Sequence, residues 1–309
     1  MTTPLGLGLP QLHWYDIGKD VPDVARAAEE IGYESLWVFE RALFPEPATQ
    51  GLYGMEGVPW PDHYRGVAEP LVTLTLAAAA TERARLGTSV LVAPLHVPFQ
   101  LAKSLATLDA ASGGRVVAGL GTGWSVDEYA AASVRPFAER GQVLDELIEV
   151  CHAVWGPDPV SYDGRLTKIA SAVVGPKPAR PIPVLLAAMG KKAQRRLVDH
   201  ADGWMPVGMG AEALAAQWRE LRELAGERGR TAPIQTVLRT NLTYTAKPFE
   251  GPGRSPFQGS VDQMVEDLAA HAEVGLDEIF VELQTGTRDA QELKDVAAEL
   301  YEKARAAGI

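Results

Sequence analysis

The chain has 309 residues, 46% apolar and 22% charged, which is enough to bury one large core and too regular for a disordered chain. Forty acidic against 29 basic residues give a formal charge of -11, which argues against nucleic acid or an anionic membrane as the main partner. The single cysteine, Cys151, excludes an internal disulfide and a cysteine metal cage; no apolar stretch nears the roughly 20 residues of a membrane span and MTTPLGLGLP has no leader pattern, so a cytoplasmic protein is expected.

From residue 4 to residue 309 the chain repeats a short apolar run followed by an amphipathic helical run eight times, the pattern of one (β/α)8 TIM barrel spanning 1–309. In such barrels the loops after the strands form the active face, so chemistry is expected just past each apolar run. Strand one, Leu5 to Leu9, feeds a loop with His13, Trp14 and Tyr15, and a helix from about Pro22 with Asp20 as N-cap and Gly32 as its stop. Strand two, Ser35 to Phe39, ends in Glu40 and Arg41. The loop 42–69 is rich in Pro, Gly and aromatics and reads as a lid carrying Tyr53, Trp60, His63 and Tyr64. A helix over 70–82 leads to strand three, Leu86 to Val92, then to a helix over 98–111.

Strand four, Val116 to Leu120, exits through Gly121-Thr122-Gly123-Trp124 into a helix-poor stretch and a long helix from about Pro136 to Trp155. The segment 156–182 carries too much proline for a central strand or helix. Strand five, Val184 to Ala188, gives way through Met189 and Gly190 to a helix beginning KKAQRR. Strand six covers Gly203 to Val207, followed by a helix over Ala211 to Arg228. Strand seven lies within Pro233 to Thr245, a helix starts at Ser260 and Asp262, and strand eight, Glu278 to Leu283, precedes a last helix from Asp289 to Ala307. An open doubly wound sheet would need a G-x-G-x-x-G turn after the first strand; GLGLPQ is not one.

Two lysines, Lys191 and Lys192, at a helix start oppose the positive end of the helix dipole. They read either as solvated side chains or as part of a phosphate site with the free backbone N–H groups of the helix. His13, His63 and His96 fall on active-face loops and are candidates for proton transfer, whereas His152, His200 and His271 fall on helices. No H-x-H, H-E-x-x-H or Cys/His spacing points to a metal, and no G-x-S-x-G elbow to a serine hydrolase.

Five segments together resemble the bacterial luciferase-like family of flavin and deazaflavin enzymes: SLWVFERALFP at 35–45, EPLVTLTLAAAATERARLGTSVLVAP at 69–94, QLAKSLATLDAASGGRVVAGLGTGW at 100–124, PFAERGQVLDELIEVCHAVW at 136–155 and GPKPARPIPVLLAAMGKKAQRRLVDHADGWMP at 175–206. The likeness is greatest to the actinobacterial branch that uses coenzyme F420. It implies an F420-dependent oxidoreductase passing hydride to or from a small organic substrate. FMN with a separate reductase is the alternative cofactor, and a non-catalytic flavin-binding barrel the alternative of another class. By the same resemblance Ser89 and Val90 form a cis bulge against the ring, Thr122 and Gly123 line the ring or its chain, and Met189, Gly190 and Lys191 hold the phosphate. A homodimer is the expected assembly. Two positions depart from the family. Many relatives follow the acid at the end of strand two with a histidine, and this chain has Glu40 and then Arg41, which stays protonated and cannot act as a base. Arg41 is therefore expected to stabilise negative charge, with Glu40 holding it and the proton coming from His13, His63 or water. Trp124 stands where the sugar-phosphate dehydrogenases place a glutamate, which argues against glucose 6-phosphate as substrate.

Overall fold

The computed structural model describes residues 2–133 and 135–309. Eight strands form the barrel: β1 Leu5–Gly8, β2 Ser35–Val38, β3 Arg85–Thr88, β4 Val116–Gly121, β5 Val184–Leu186, β6 Gly203–Trp204, β7 Gln235–Asn241 and β8 Glu278–Glu282. Each pairs in parallel with the next, and β8 returns to β1 to close the sheet. The expected (β/α)8 barrel is the observed fold. The side-chain period of two divides each strand between two environments. Trp37, Val117, Leu185, Met205, Val237 and Phe280 fill the lumen, while Leu36, Leu86, Val116 and Ile279 belong to the larger shell packed beneath the helices.

The helices are α1 Ile17–Ile31, α2 Pro70–Ala80, α3 Pro98–Ser112, α4 Val126–Ala132, α5 Arg140–Trp155, α6 Lys191–His200, α7 Ala211–Glu227, α8 Val261–Ala272 and α9 Ala290–Ala306. Two local expectations are corrected. The first helix starts at Ile17, because Asp16 caps it by accepting from the Lys19 amide while Asp20 reaches back to the Asp16 amide; Pro22 sits inside the helix. The stretch expected to be helix-poor after Trp124 contains α4, capped by Ser125. The proline-rich segment 156–182 supplies no central strand or helix, as expected, and forms a hairpin, Val160–Asp163 with Lys168–Ala172, outside the barrel. Strand three is interrupted: after Thr88 the Ser89–Val90 peptide is cis, as expected, and a short pairing resumes at Leu91–Val92. No helix among the described residues is long and apolar enough to cross a membrane.

At the end of the barrel opposite the loops after the strands, Arg115 is 8% exposed and donates to Ser112, Ala84, Ala78 and both oxygens of Thr81, at 2.7–3.0 Å. Arg115 thus ties the ends of α2 and α3 to the starts of β3 and β4. Its removal orphans several buried carbonyls, so Arg115→Ala is expected to lower the unfolding free energy by about 3 kcal/mol or more. Chemical denaturation measures this, and a loss below about 1 kcal/mol would show that those carbonyls find other donors.

Candidate functional site

The loops after β2, β3 and β4 and the strands β7 and β8 bring three ion pairs to the mouth of the barrel. The first follows from strand alternation. Trp37 fills the lumen, and Glu40, three residues on, turns toward the exit of β3, where its carboxylate accepts from the Val92 amide and lies 2.8 Å from His96 Nε2. Burial alone would lower the His96 pKa, but the hydrogen bond and charge of Glu40, helped by Glu69, outweigh it and raise the imidazole above its ordinary value. The second pair belongs to Arg41, whose Nη1 donates to Glu128 Oε2 at 2.8 Å. The other oxygen of Glu128 accepts from the Ala42 amide at 2.8 Å. Glu128 is 1% exposed, and burial raises its pKa against the opposing pull of Arg41 and the Ala42 and Leu43 amides. The Arg41 guanidinium lies 5.0 Å from the Trp124 ring centre, 5.3 Å from that of Tyr64 and 5.9 Å from that of Trp60.

The third pair comes from the far side of the barrel. Arg239 on β7 donates to the carbonyl of Ser89, to Asn241 Oδ1 at 3.1 Å and to Glu282 Oε2 at 3.4 Å, and lies 5.0 Å over the Phe39 ring. Glu282 also accepts from Gln284 Nε2 at 2.9 Å; burial raises its pKa despite both partners. Gln284 accepts from the Gln11 amide, and Gln11 bonds Phe39 and Ala68, so the exits of β1, β2 and β8 and the end of the lid share one buried network. His63 sits in the lid beside Tyr64, with ring centres 4.6 Å apart. Burial first, and then the charge of Arg239, hold its pKa below the ordinary imidazole value. His13 is exposed and packs on Trp14 and against Gly66 of the lid.

The exits of β3, β4 and β5 are built differently. Thr88 exchanges hydrogen bonds with Gly119 at 2.8 and 3.0 Å, holding the two strands where the pairing ends. A side chain at Gly121 would strike Val90, and one at Gly123, at φ +67°, would strike Val92; the turn is compact because the β3 exit leans on it. The Thr122 carbonyl accepts from the Tyr129 hydroxyl of α4. After β5, Gly190 at φ +81° opens α6 with no side-chain cap and no acid in the first turn. Met189 is 84% exposed, and Lys191 and Lys192 are exposed with no acidic partner among the described residues.

Sequence reasoning named Glu40, Arg41, His13, His63, Ser89, Val90, Thr122, Gly123, Met189, Gly190 and Lys191, and all stand on the loop face of the barrel. One assignment among them is corrected: Glu40 holds His96, and Glu128 holds Arg41. Glu128 was missed together with its helix, although Ser125-Val126-Asp127-Glu128 has the S-x-x-E spacing of a capping box and Glu128 N does bond Ser125 Oγ at 3.2 Å. Arg239 and Glu282 were missed as well. Their signal was parity: Val237 and Phe280 face the lumen, so the charged residues two further on point up its axis.

A sequence model of luciferase-like monooxygenases matches residues 15–250. An uncharacterised protein of Mycobacterium tuberculosis is 38% identical over 270 residues, covering 82% of this chain and 94% of that one. A protein of Amycolatopsis mediterranei named as an F420-dependent glucose-6-phosphate dehydrogenase is 28% identical over 190 residues, 60% of this chain and 53% of that one. Among solved structures, a monooxygenase of Streptomyces bottropensis superposes with TM-score 0.78 at 17% identity, covering 99% of this chain and 100% of that one. An F420-dependent secondary alcohol dehydrogenase does so with TM-score 0.74 at 17% identity over the same shares. At that identity the superpositions show the fold.

The His96–Glu40 pair carries a pH dependence whose sign is fixed. A folded-state pKa above the unfolded value stabilises fully below the ordinary imidazole pKa, and the contribution fades as pH rises through the raised one. Thermal unfolding of the wild type and of His96→Gln should therefore differ more at about pH 5.5 than at about pH 8.5. A gap that is constant or widens with pH would show that the imidazolium form contributes nothing.

Proposed function

The chain belongs to the luciferase-like monooxygenase family, and within it we propose an F420-dependent oxidoreductase that moves hydride between the deazaflavin and a small organic substrate beneath the lid. The exit of β5 carries this reading. An uncapped helix start, open space around Gly190 and two cations with no acidic partner among the described residues suit an anionic cofactor end. Met189, Gly190 and Lys191 would hold that end, and Ser89, Val90, Thr122 and Gly123 would border the ring. The deazaflavin tail bears more negative charge than the single phosphate of FMN, so two exposed lysines favour F420. The relatives named as F420-dependent dehydrogenases support the same choice.

When bound, the coenzyme supplies the hydride chemistry. The chain supplies position, charge and protons. Arg41, fixed by Glu128 and enclosed by three rings, presents a permanent cation to oxygen on which negative charge develops. His63, whose pKa burial and Arg239 hold below the ordinary imidazole value, is a lid group able to hold or release a proton; His13 stands behind it at the solvent edge. Arg239 braces the Ser89 carbonyl, and Glu40 braces the Val92 amide through the same strand exit.

The reading is tested by titrating the purified protein with oxidised F420 and with FMN, and tighter binding of FMN would overturn it. Lys191→Ala with Lys192→Ala should weaken F420 binding by about 1–3 kcal/mol, the scale of lost charge-assisted hydrogen bonds. An unchanged dissociation constant would remove these lysines from the site. In single-turnover hydride transfer followed by cofactor absorbance, Arg41→Ala should slow the step by roughly 10²–10³ and Arg41→Lys should recover part of it. A wild-type rate in Arg41→Ala would pass the catalytic assignment to His63.

A further inference from the structure

The lid is held unevenly along its length. At its far end the Ala68 amide donates to the Gln11 carbonyl at 2.8 Å, Val67 bridges to Leu12 and Gly66 rests on His13, so this end is fastened to the loop after β1. The middle is different. Pro45 and Trp60 are buried, but none of the residues from 46 to 59 is, and Tyr53 and Met55 are 52% and 49% exposed. Residues 51–58 fold back on themselves, with the Leu52 amide donating to the Val58 carbonyl at 2.8 Å and the Met55 amide to the Leu52 carbonyl at 3.1 Å. An open cleft of about 620 Å³ is lined by residues of 48–60 alone, so no barrel residue lines that side.

Among the described residues, the polar and ring contacts of this middle with the barrel converge on one short segment. The Thr49 amide and hydroxyl donate to the two Asp127 oxygens, the amide at 3.0 Å, and Gln50 Nε2 donates to the Trp124 carbonyl at 2.5 Å. The Tyr53 ring lies 5.2 Å from that of Trp124. The Thr49 bonds face solvent, where water replaces a lost partner at a small net cost. A segment with few buried contacts and solvent-facing bonds opens locally without unfolding the rest. It leaves β2 and fastens beside the exit of β4, so it crosses the exit of β3 between them. Resting on the proposed reading that the β3 and β4 exits border the cofactor ring, we infer that residues 46–59 are a gate. It swings about Pro45 and Trp60, is latched by Asp127 and the Trp124 carbonyl, and its release sets how fast the cofactor enters and leaves.

A latch that does not touch the ligand changes rates and leaves affinity alone, because it holds the gate shut equally in the free and the bound protein. Asp127→Ala with Gln50→Ala removes its side chains, while Ser125 still caps α4. In stopped-flow mixing with F420 and with FMN, the association and dissociation rates of whichever binds should both rise at least about 5-fold in this variant, with Kd changed less than about twofold. Unchanged rates, or a shifted Kd without a matched change in both rates, would overturn the inference. Gate position is read without any cofactor by double electron–electron resonance between spin labels at Met55→Cys and Val72→Cys, both exposed sites, the native Cys151 being buried. The latched protein should give one separation, and the unlatched variant a second population. A distribution that the latch variant leaves unchanged overturns the gate whichever cofactor binds, whereas tighter binding of FMN with matched rate changes overturns only the F420 reading.

Discussion

A charge taken out of water must bring a counter-charge with it, and the mouth of this barrel is organised around that requirement. Glu40, Arg41 and Arg239 are all largely buried, and each is met by a partner from another element: His96 from the loop after the third strand, Glu128 from α4, Glu282 from the eighth strand. These pairs span long stretches of sequence, so they close only when the barrel closes.

The barrel was legible in the chain because eight apolar runs alternate with eight helical ones, and hydrophobic periodicity survives any detail of packing. Strand exits were legible for the same reason, and with them Arg41, Ser89, Gly123 and Lys191. Partners were not. Adjacent charges such as Glu40 and Arg41 look like a pair in a sequence, but successive residues of an extended chain point to opposite sides, so each turned to a different neighbour. Arg239 and Glu282 sit 43 positions apart and meet only through the pairing of the seventh and eighth strands.

The hairpin at 160–172 and the short helix α4 show a second limit. Proline content correctly kept the segment 156–182 out of the barrel, yet composition alone does not tell an irregular loop from an outlying hairpin. Helix α4 has seven residues, too few for a periodic stripe, and its capping serine was the only local mark. That small helix supplies the carboxylate that holds Arg41.

Glu128 spends one oxygen on the arginine and the other on the amide of Ala42, the first residue of the lid. Thr49 and Gln50, further along, hold the same helix through Asp127 and the Trp124 carbonyl. Lid posture and the aim of the guanidinium are therefore a single mechanical coordinate. Substitution of Glu128 would therefore release the guanidinium and the first residue of the lid together.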